Sequence, residues 1–521
     1  MLKNYRNIAV VSLSTVGSRV LGLVRDIMIF SALGTSLWNS AFILAFTLPN
    51  LFRRLLGEGA LTSAIVPVFS DVLERRGRPV AFEFFNQVLL RVAVLLFGTV
   101  IVGIVLLAGL NVCGLLPGRW SLGADLSVWL LPYMIFICLA AIISAGLNVL
   151  GRFAIPASTP VLLNLAMISA LAAGWFLEAS PGGMVYLLCG GVLAGGLLQL
   201  ALPAWDLFRQ GWRPQLTSEA SEELKSVWAL FLPGLMGAAI LQINILVSRL
   251  LAYSLEDSAV SVLYLASRLM ELPLGVFSIA VVTVFFPLLA KAATNRDPAA
   301  FADAFHRSIR LILAISVPAG LGLAVLSEPI LATLFKWGAF DSSDVSATIP
   351  LLVVYGIGLP FYSLATIATR GLHARKDMVT PVRIALVCLM TNALAGILLM
   401  QVFGAIGLAS ANVIAAVVQS ALLSRALSRT VSSIQFSSMN KAVLHIMIAA
   451  AAMGIFCYLG MQLASEFVAL ETKRLHALFV ILGVPAGAGL YFGMLAWLRF
   501  EDLSELKSLV SKLKKSSALS D

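Results

Sequence analysis

The chain has 521 residues, 60% of them hydrophobic and 12% charged, with a formal net charge of +10. Charge this sparse cannot cover a soluble protein of that length, so the composition excludes a soluble globular fold and indicates a polytopic membrane protein. Five scattered cysteines (Cys113, Cys138, Cys189, Cys388, Cys457) without a CxxC pair, and four histidines without ligand spacing, point to neither thiol chemistry nor a metal site. The cysteines read as small buried hydrophobes.

In chain order, apolar runs cover roughly 8–33, 38–70, 86–112, 126–150, 158–179, 184–206, 226–253, 258–290, 306–335, 346–373, 380–402, 404–424, 442–465 and 475–498. These about fourteen spans lack the alternation of barrel strands, so helices are the expected spanning structure. The first run is too long for a signal peptide, is interrupted by Arg19, Arg25 and Asp26, and has no clear small-residue cleavage site. It is expected to be retained as a span.

Charge sets the orientation. With the N-terminus inside, only Arg119, Lys336, Lys473 and Arg474 fall in outer loops, and every other loop cation is cytoplasmic. Both termini are therefore expected in the cytoplasm. Basic loops facing an anionic leaflet account for the net charge without a nucleic-acid partner.

A repeat is also visible. LPYMIFICLAAIISAGLN (131–148) resembles LPFYSLATIATRGLH (359–373), and each is followed by a basic loop and a Thr-Pro, Thr159-Pro160 and Thr380-Pro381. Ser18-Arg19-Val20-Leu21 matches Ser248-Arg249-Leu250-Leu251, and Pro67 matches Pro287. An offset of six spans gives two halves of like orientation, related by an axis along the membrane normal. The expected domains are an N-terminal lobe (1–213), a C-terminal lobe (214–432) and a helix pair with a basic tail (433–521).

Nine arginines fall within spans. Arg91, Arg249, Arg310 and Arg370 lie near span ends and are expected to snorkel to the interface. Arg19, Arg25, Arg53, Arg54 and Arg268 lie deeper, where a cation costs on the order of 2.5–3.5 kcal/mol. Asp26 shares a helical face with Arg19 across Gly22, leaving Arg25, near the outer end, without a partner in its own helix. Glu58, at i+4, is expected to pair with Arg54, and Glu271, at i+3, with Arg268. Pro49, Gly57 and Gly59 allow the second span to bend. Structural salt bridges remain an open reading for any single arginine. As a set, the excess of cations over carboxylates favours a water-filled cavity for an anion, and the guanidinium fork suits phosphate.

At these residues the sequence resembles a known family. SRVLGLVRD (18–26), AFILAFTLPNLFRRLLGEGALTSAIVPVFSD (41–71), NVLGRFAIPASTPVLLN (148–164) and RLMELPLGVFSIAVVTVFFPLL (268–289) are similar to the MurJ, or MviN, lipid II flippases of the MOP exporter superfamily. The resemblance implies an all-α membrane protein of fourteen helices. Two pseudo-symmetric six-helix lobes would surround a central cavity, and a C-terminal helix pair would form a groove for an undecaprenyl tail. It implies substrate-binding roles for Arg19, Arg25, Arg53 and Arg268. Asp26 would act at the gate, with Arg54 and Glu58 completing the motif as gate or structural ion pairs; Glu271 joins them from its spacing to Arg268 alone. Two positions depart from the family pattern: Ser40 and Ser267 stand where acids are common. The sodium site of some members uses an acid in the seventh span, which here offers only Gln242 and Asn244, so sodium coupling is not expected.

The expected function is therefore non-enzymatic: transport of lipid II from the cytoplasmic to the outer leaflet of the bacterial inner membrane by alternating access. Membrane lipids and the cell-wall synthesis machinery are the expected partners. No cofactor is expected, and the absence of a P-loop leaves the membrane potential or an ion gradient as the drive. The alternatives are a MOP-type carrier of another prenyl-pyrophosphate glycan or of drugs, a membrane-embedded transferase or phosphatase, and a scaffold. A drug and cation antiporter calls for unpaired acids, and a transferase for clustered Asp or a His nucleophile. Span interiors here hold almost no acids, and His306, His373 and His445 stand alone.

Overall fold

The computed structural model describes residues 2–57, 59–216, 221–467 and 472–504, and within them the regular structure is entirely helical. Among the described residues, nine helices are long and apolar enough to cross a membrane, or ten if the bent pair at 119–149 is one span.

The chain forms two compact units that divide between Tyr253 and Ser254. The first contains α1 (Leu2–Leu33), α2 (Leu37–Phe52), a π-helical turn (Arg53–Gly57), α3 (Ala60–Val112), α4 (Arg119–Leu130), α5 (Tyr133–Val149), α6 (Ala154–Phe176), α7 (Pro181–Arg209) and most of α8 (Glu222–Leu255). The repeat assigns α8 to the second half of the chain, whereas by contact it clusters with the first unit. In this unit α6 packs on α7 and on α1, and α5 on α7 and α3.

The second unit contains α9 (Ala259–Pro273), a second π-helical turn (Leu274–Ser278), α10 (Ile279–Thr294), α11 (Pro298–Val325), α12 (Ser327–Leu334), α13 (Ser342–Ala374), α14 (Val379–Thr430), a 3₁₀ turn (Phe436–Met439), α15 (Asn440–Phe467) and α16 (Thr472–Trp497). Here α13 packs between α11 and α14, and α15 packs on α11 and α16. The core of this unit joins Phe301, Phe305 and Leu311 to Leu423, Leu427, Ile446, Met453 and Tyr491.

Local chemistry sets where these helices start. Ser36 caps α2 by accepting from Asn39 N, and Ser180 caps α7 by accepting from Gly183 N, with Pro181 at the first helical position. Asp297 caps α11 ahead of Pro298, and Asp341 forms a capping box with Asp344 on α13. Breaks follow glycine: Gly77 (φ 80°) interrupts α3 and Gly404 (φ 57°) interrupts α14, backbone angles that disfavour side-chain-bearing residues.

Three sequence expectations change. Run 306–335 is not one helix, because the chain breaks at Leu326 before the short α12, which carries Pro329. Run 126–150 begins earlier, at Arg119, and bends by 41° beside Pro132. Cys113 is exposed at the end of α3, whereas the other four cysteines are buried.

Candidate functional site

Three of the four arginines expected to bind substrate, Arg19, Arg25 and Arg53, lie in the first unit, as does Arg54. Arg19 stands on α1 and is exposed. The structure does not pair it with Asp26: seven residues place them about 10 Å apart along the axis at roughly 1.5 Å per residue. Asp26 instead binds its neighbour. Nε and Nη2 of Arg25 donate to Asp26 Oδ1 at 3.1 and 2.6 Å. Nη1 of Arg25 donates to Asn164 Oδ1 of α6 at 2.9 Å, and Asn164 Nδ2 returns to α1 by donating to Ser18 O at 3.0 Å. The side chains of Arg25 and Asp26 are 11% and 1% exposed. Arg25 is thus held inside the helix packing and neither snorkels nor lacks a partner. A buried charge needs such pairing and hydrogen bonding together, because desolvation of each ion costs several kcal/mol.

Arg53 opens the first π-helical turn. Pro49, which carries no N–H, precedes it in α2, and the Arg53 N–H reaches back to the carbonyls of Pro49 and Asn50. The wide turn sends Leu55 and Leu56 into the core, leaves Arg53 half-buried and exposes Arg54. Nε of Arg53 donates to Asn50 Oδ1 at 3.3 Å. At Gly59 a Cβ would sit 2.6 Å from Arg54 O, so the exit from the turn requires glycine. Glu58, expected to pair with Arg54, lies outside the described residues.

Arg268 lies on α9 in the second unit and pairs with Glu271 at 3.6 Å, as the i+3 spacing predicts, with the side chains 33% and 51% exposed. A pair this open contributes little to stability and keeps the cation accessible. Pro273 and the second π-helical turn follow directly.

Several functional-type contacts were not legible in the sequence. Arg249 does not snorkel but donates to Ile43 O and Thr47 Oγ1 of α2. Arg310 is likewise bound, with Nε 2.5 Å from Asp502 Oδ2 and side chains 15% and 7% exposed. Arg152 binds Asp206 through two nitrogens, at 2.7 and 3.2 Å. The one hint for Asn164 is an amide side chain closing the apolar stretch of the 148–164 motif.

The family model for lipid II flippase MurJ matches residues 29–477. A probable lipid II flippase MurJ from Rhizobium meliloti is 35% identical over 433 residues, covering 80% of this chain and 79% of that one. One from Bdellovibrio bacteriovorus is 32% identical over 510 residues, covering 95% and 94%. Among solved structures, a lipid II flippase MurJ in an inward closed conformation matches with TM-score 0.77 and 25% identity, covering 94% of this chain and 98% of that one. An inward-facing multidrug-resistance MATE transporter of the MOP superfamily matches with TM-score 0.67 at 16% identity, covering 82% and 98%, a likeness of fold alone. The extent of the family match, together with relatives above 30% identity along most of their length, establishes that this chain belongs to the MurJ family.

Proposed function

We propose that this chain is a lipid II flippase. It carries the undecaprenyl-pyrophosphate-linked disaccharide-pentapeptide from the cytoplasmic to the outer leaflet by alternating access, with both termini in the cytoplasm of a bacterial inner membrane. It is a transporter and not an enzyme. The observation that carries the reading is the family match over residues 29–477. The arginines supply its chemistry: an exposed Arg19, a half-buried Arg53 at a π-helical turn and a solvent-accessible Arg268. Each is a permanent cation whose fork donates two parallel hydrogen bonds to a phosphate. Arg25 is the fourth contact in this reading, oriented by Asp26 and Asn164, and the cell-wall synthesis machinery takes the product.

A drug or cation carrier of the same fold would place carboxylates where this chain places guanidinium groups. The test is translocation by purified protein in vesicles containing defined lipid-linked substrates. Arg53→Ala is expected to abolish translocation while the protein inserts and accumulates normally. Arg53→Lys is expected to be poor as well, because an ammonium makes no bidentate phosphate contact. Full activity in both variants, or transport of a cationic drug in place of lipid II, would overturn the assignment.

A further inference from the structure

Apart from these arginines, the second unit holds a cavity of ≈ 470 Å³. Its apolar wall is formed by Ile309 and Leu313 of α11, Phe361 and Leu364 of α13, and Phe436 and Met439 of the 3₁₀ turn. Its polar edge comes from α14, through Ser420, Ser424, Ser428 and Arg425. The three serines stand at i, i+4 and i+8, so they share one helical face. Ser420 Oγ donates to Val417 O at 2.9 Å and Ser428 Oγ to Arg425 O at 3.0 Å, which leaves the lone pairs of both hydroxyls for a further donor. Arg425 is exposed, and Arg429 lies one turn beyond it.

The volume lies within the roughly 300–1,000 Å³ of small-molecule sites. Hydrocarbon walls on one side, and on the other a guanidinium for an anionic group with serine lone pairs for a head-group hydroxyl, suit an amphiphile with an acyl chain and an anionic, hydroxyl-bearing head such as a phosphoglycerol. In the orientation proposed above, on which this step rests, the C-terminal end of α14 faces the cytoplasmic leaflet, where anionic phospholipids concentrate. We propose that this cavity binds one anionic diacyl phospholipid, with an acyl chain against Leu313, Phe361 and Leu364 and the head-group phosphate on Arg425. A free phosphate ion would leave the apolar wall unused, and a choline head would bring its own cation towards Arg425 and Arg429.

The test is native mass spectrometry of the purified full-length chain in detergent with dioleoylphosphatidylglycerol or dioleoylphosphatidylcholine added. One phosphatidylglycerol is expected to be retained preferentially. Arg425→Ala is expected to weaken that binding about tenfold, as for loss of one charge-assisted hydrogen bond. Ala421→Trp, placed to fill the cavity from α14, is expected to abolish it. Lipid II translocation by both variants serves as the control for folding. Equal retention of the two lipids, phosphatidylglycerol binding unchanged in both variants, or its displacement by sodium phosphate would each overturn the proposal. Displacement by farnesyl pyrophosphate would assign the cavity to the carrier's own tail. Failure of wild-type translocation with the lipid-binding pattern intact would instead remove the flippase reading and leave this site standing.

Discussion

The contact of Arg25 with Asp26 and Asn164 separates structural from substrate-binding duty. Asp26→Ala removes the acceptor of two guanidinium hydrogen bonds, at 3.1 and 2.6 Å, from a side chain that is 11% exposed. Breaking a buried pair by removing one partner costs about 3–5 kcal/mol, because the remaining charge is uncompensated. Asn164→Ala leaves Arg25 Nη1 and Ser18 O without that amide, and its expected cost is about 1–3 kcal/mol. Replacing both ions by leucine removes the desolvation penalty with the attraction, so the double variant is expected to be near wild type in stability. The assay is thermal unfolding of purified protein in detergent across the single and double variants, with translocation measured in parallel. If Arg25 also contacts pyrophosphate, the double variant folds but does not translocate. Two results would refute the reasoning. One is Asp26→Ala unfolding at the wild-type temperature. The other is a double variant no more stable than Asp26→Ala, which shows that removing the remaining charge relieves no desolvation penalty.

The remaining predictions concern orientation and the lipid tail. A cysteine at Ser180, exposed at the start of α7, is expected to react with impermeant reagents from outside the cell, and one at Arg75, whose side chain is 77% exposed, is not; labelling at 75 in intact cells would reverse the orientation. These positions are preferable to Gly77 and Gly404, where positive φ makes any side chain a backbone perturbation. On the C-terminal pair, Leu482 is 59% exposed and Met453 only 7% exposed in the core. Leu482→Ser is therefore expected to reduce use of long-prenyl substrates while sparing a short-chain pyrophosphate analogue, each methylene contributing roughly 0.8 kcal/mol when buried. Met453→Ser is expected to lower thermal stability instead. Equal loss of short- and long-chain binding in Leu482→Ser would reduce the pair to a brace.

Much of the helical architecture was legible because it rests on long-range composition: apolar runs must close their own hydrogen bonds in lipid, and only helices do that within a segment. What escaped depended on partners far away in the chain. Arg19, Gly22 and Asp26 share a face, so helical spacing assigned Asp26 to Arg19. That reading considers one helix in isolation, and it fails because α6 delivers Asn164 beside Arg25 and makes the neighbouring pair the satisfied one. Arg310 failed for the same reason, its acceptor being Asp502, beyond the last span. Arg268 and Glu271 succeeded because the pair is contained within one turn of α9.

The repeat is carried more clearly by the backbone than by the side chains. In each unit a proline-bearing helix passes into a five-residue π-helical turn, Arg53–Gly57 after α2 and Leu274–Ser278 after α9. Their separation agrees with the offset of the six-span sequence repeat. Pro49 and Pro273 each remove an N–H from the helix ahead of the turn, so in both halves the break follows a proline. The side chains around them differ. Arg53 sits inside its turn and bonds to Asn50, whereas Arg268 precedes its turn and pairs with Glu271. Backbone geometry set by proline can therefore persist between the two halves while the charged groups beside it specialise. That explains why matching residues one by one gives a patchy repeat, although the breaks in the helices coincide.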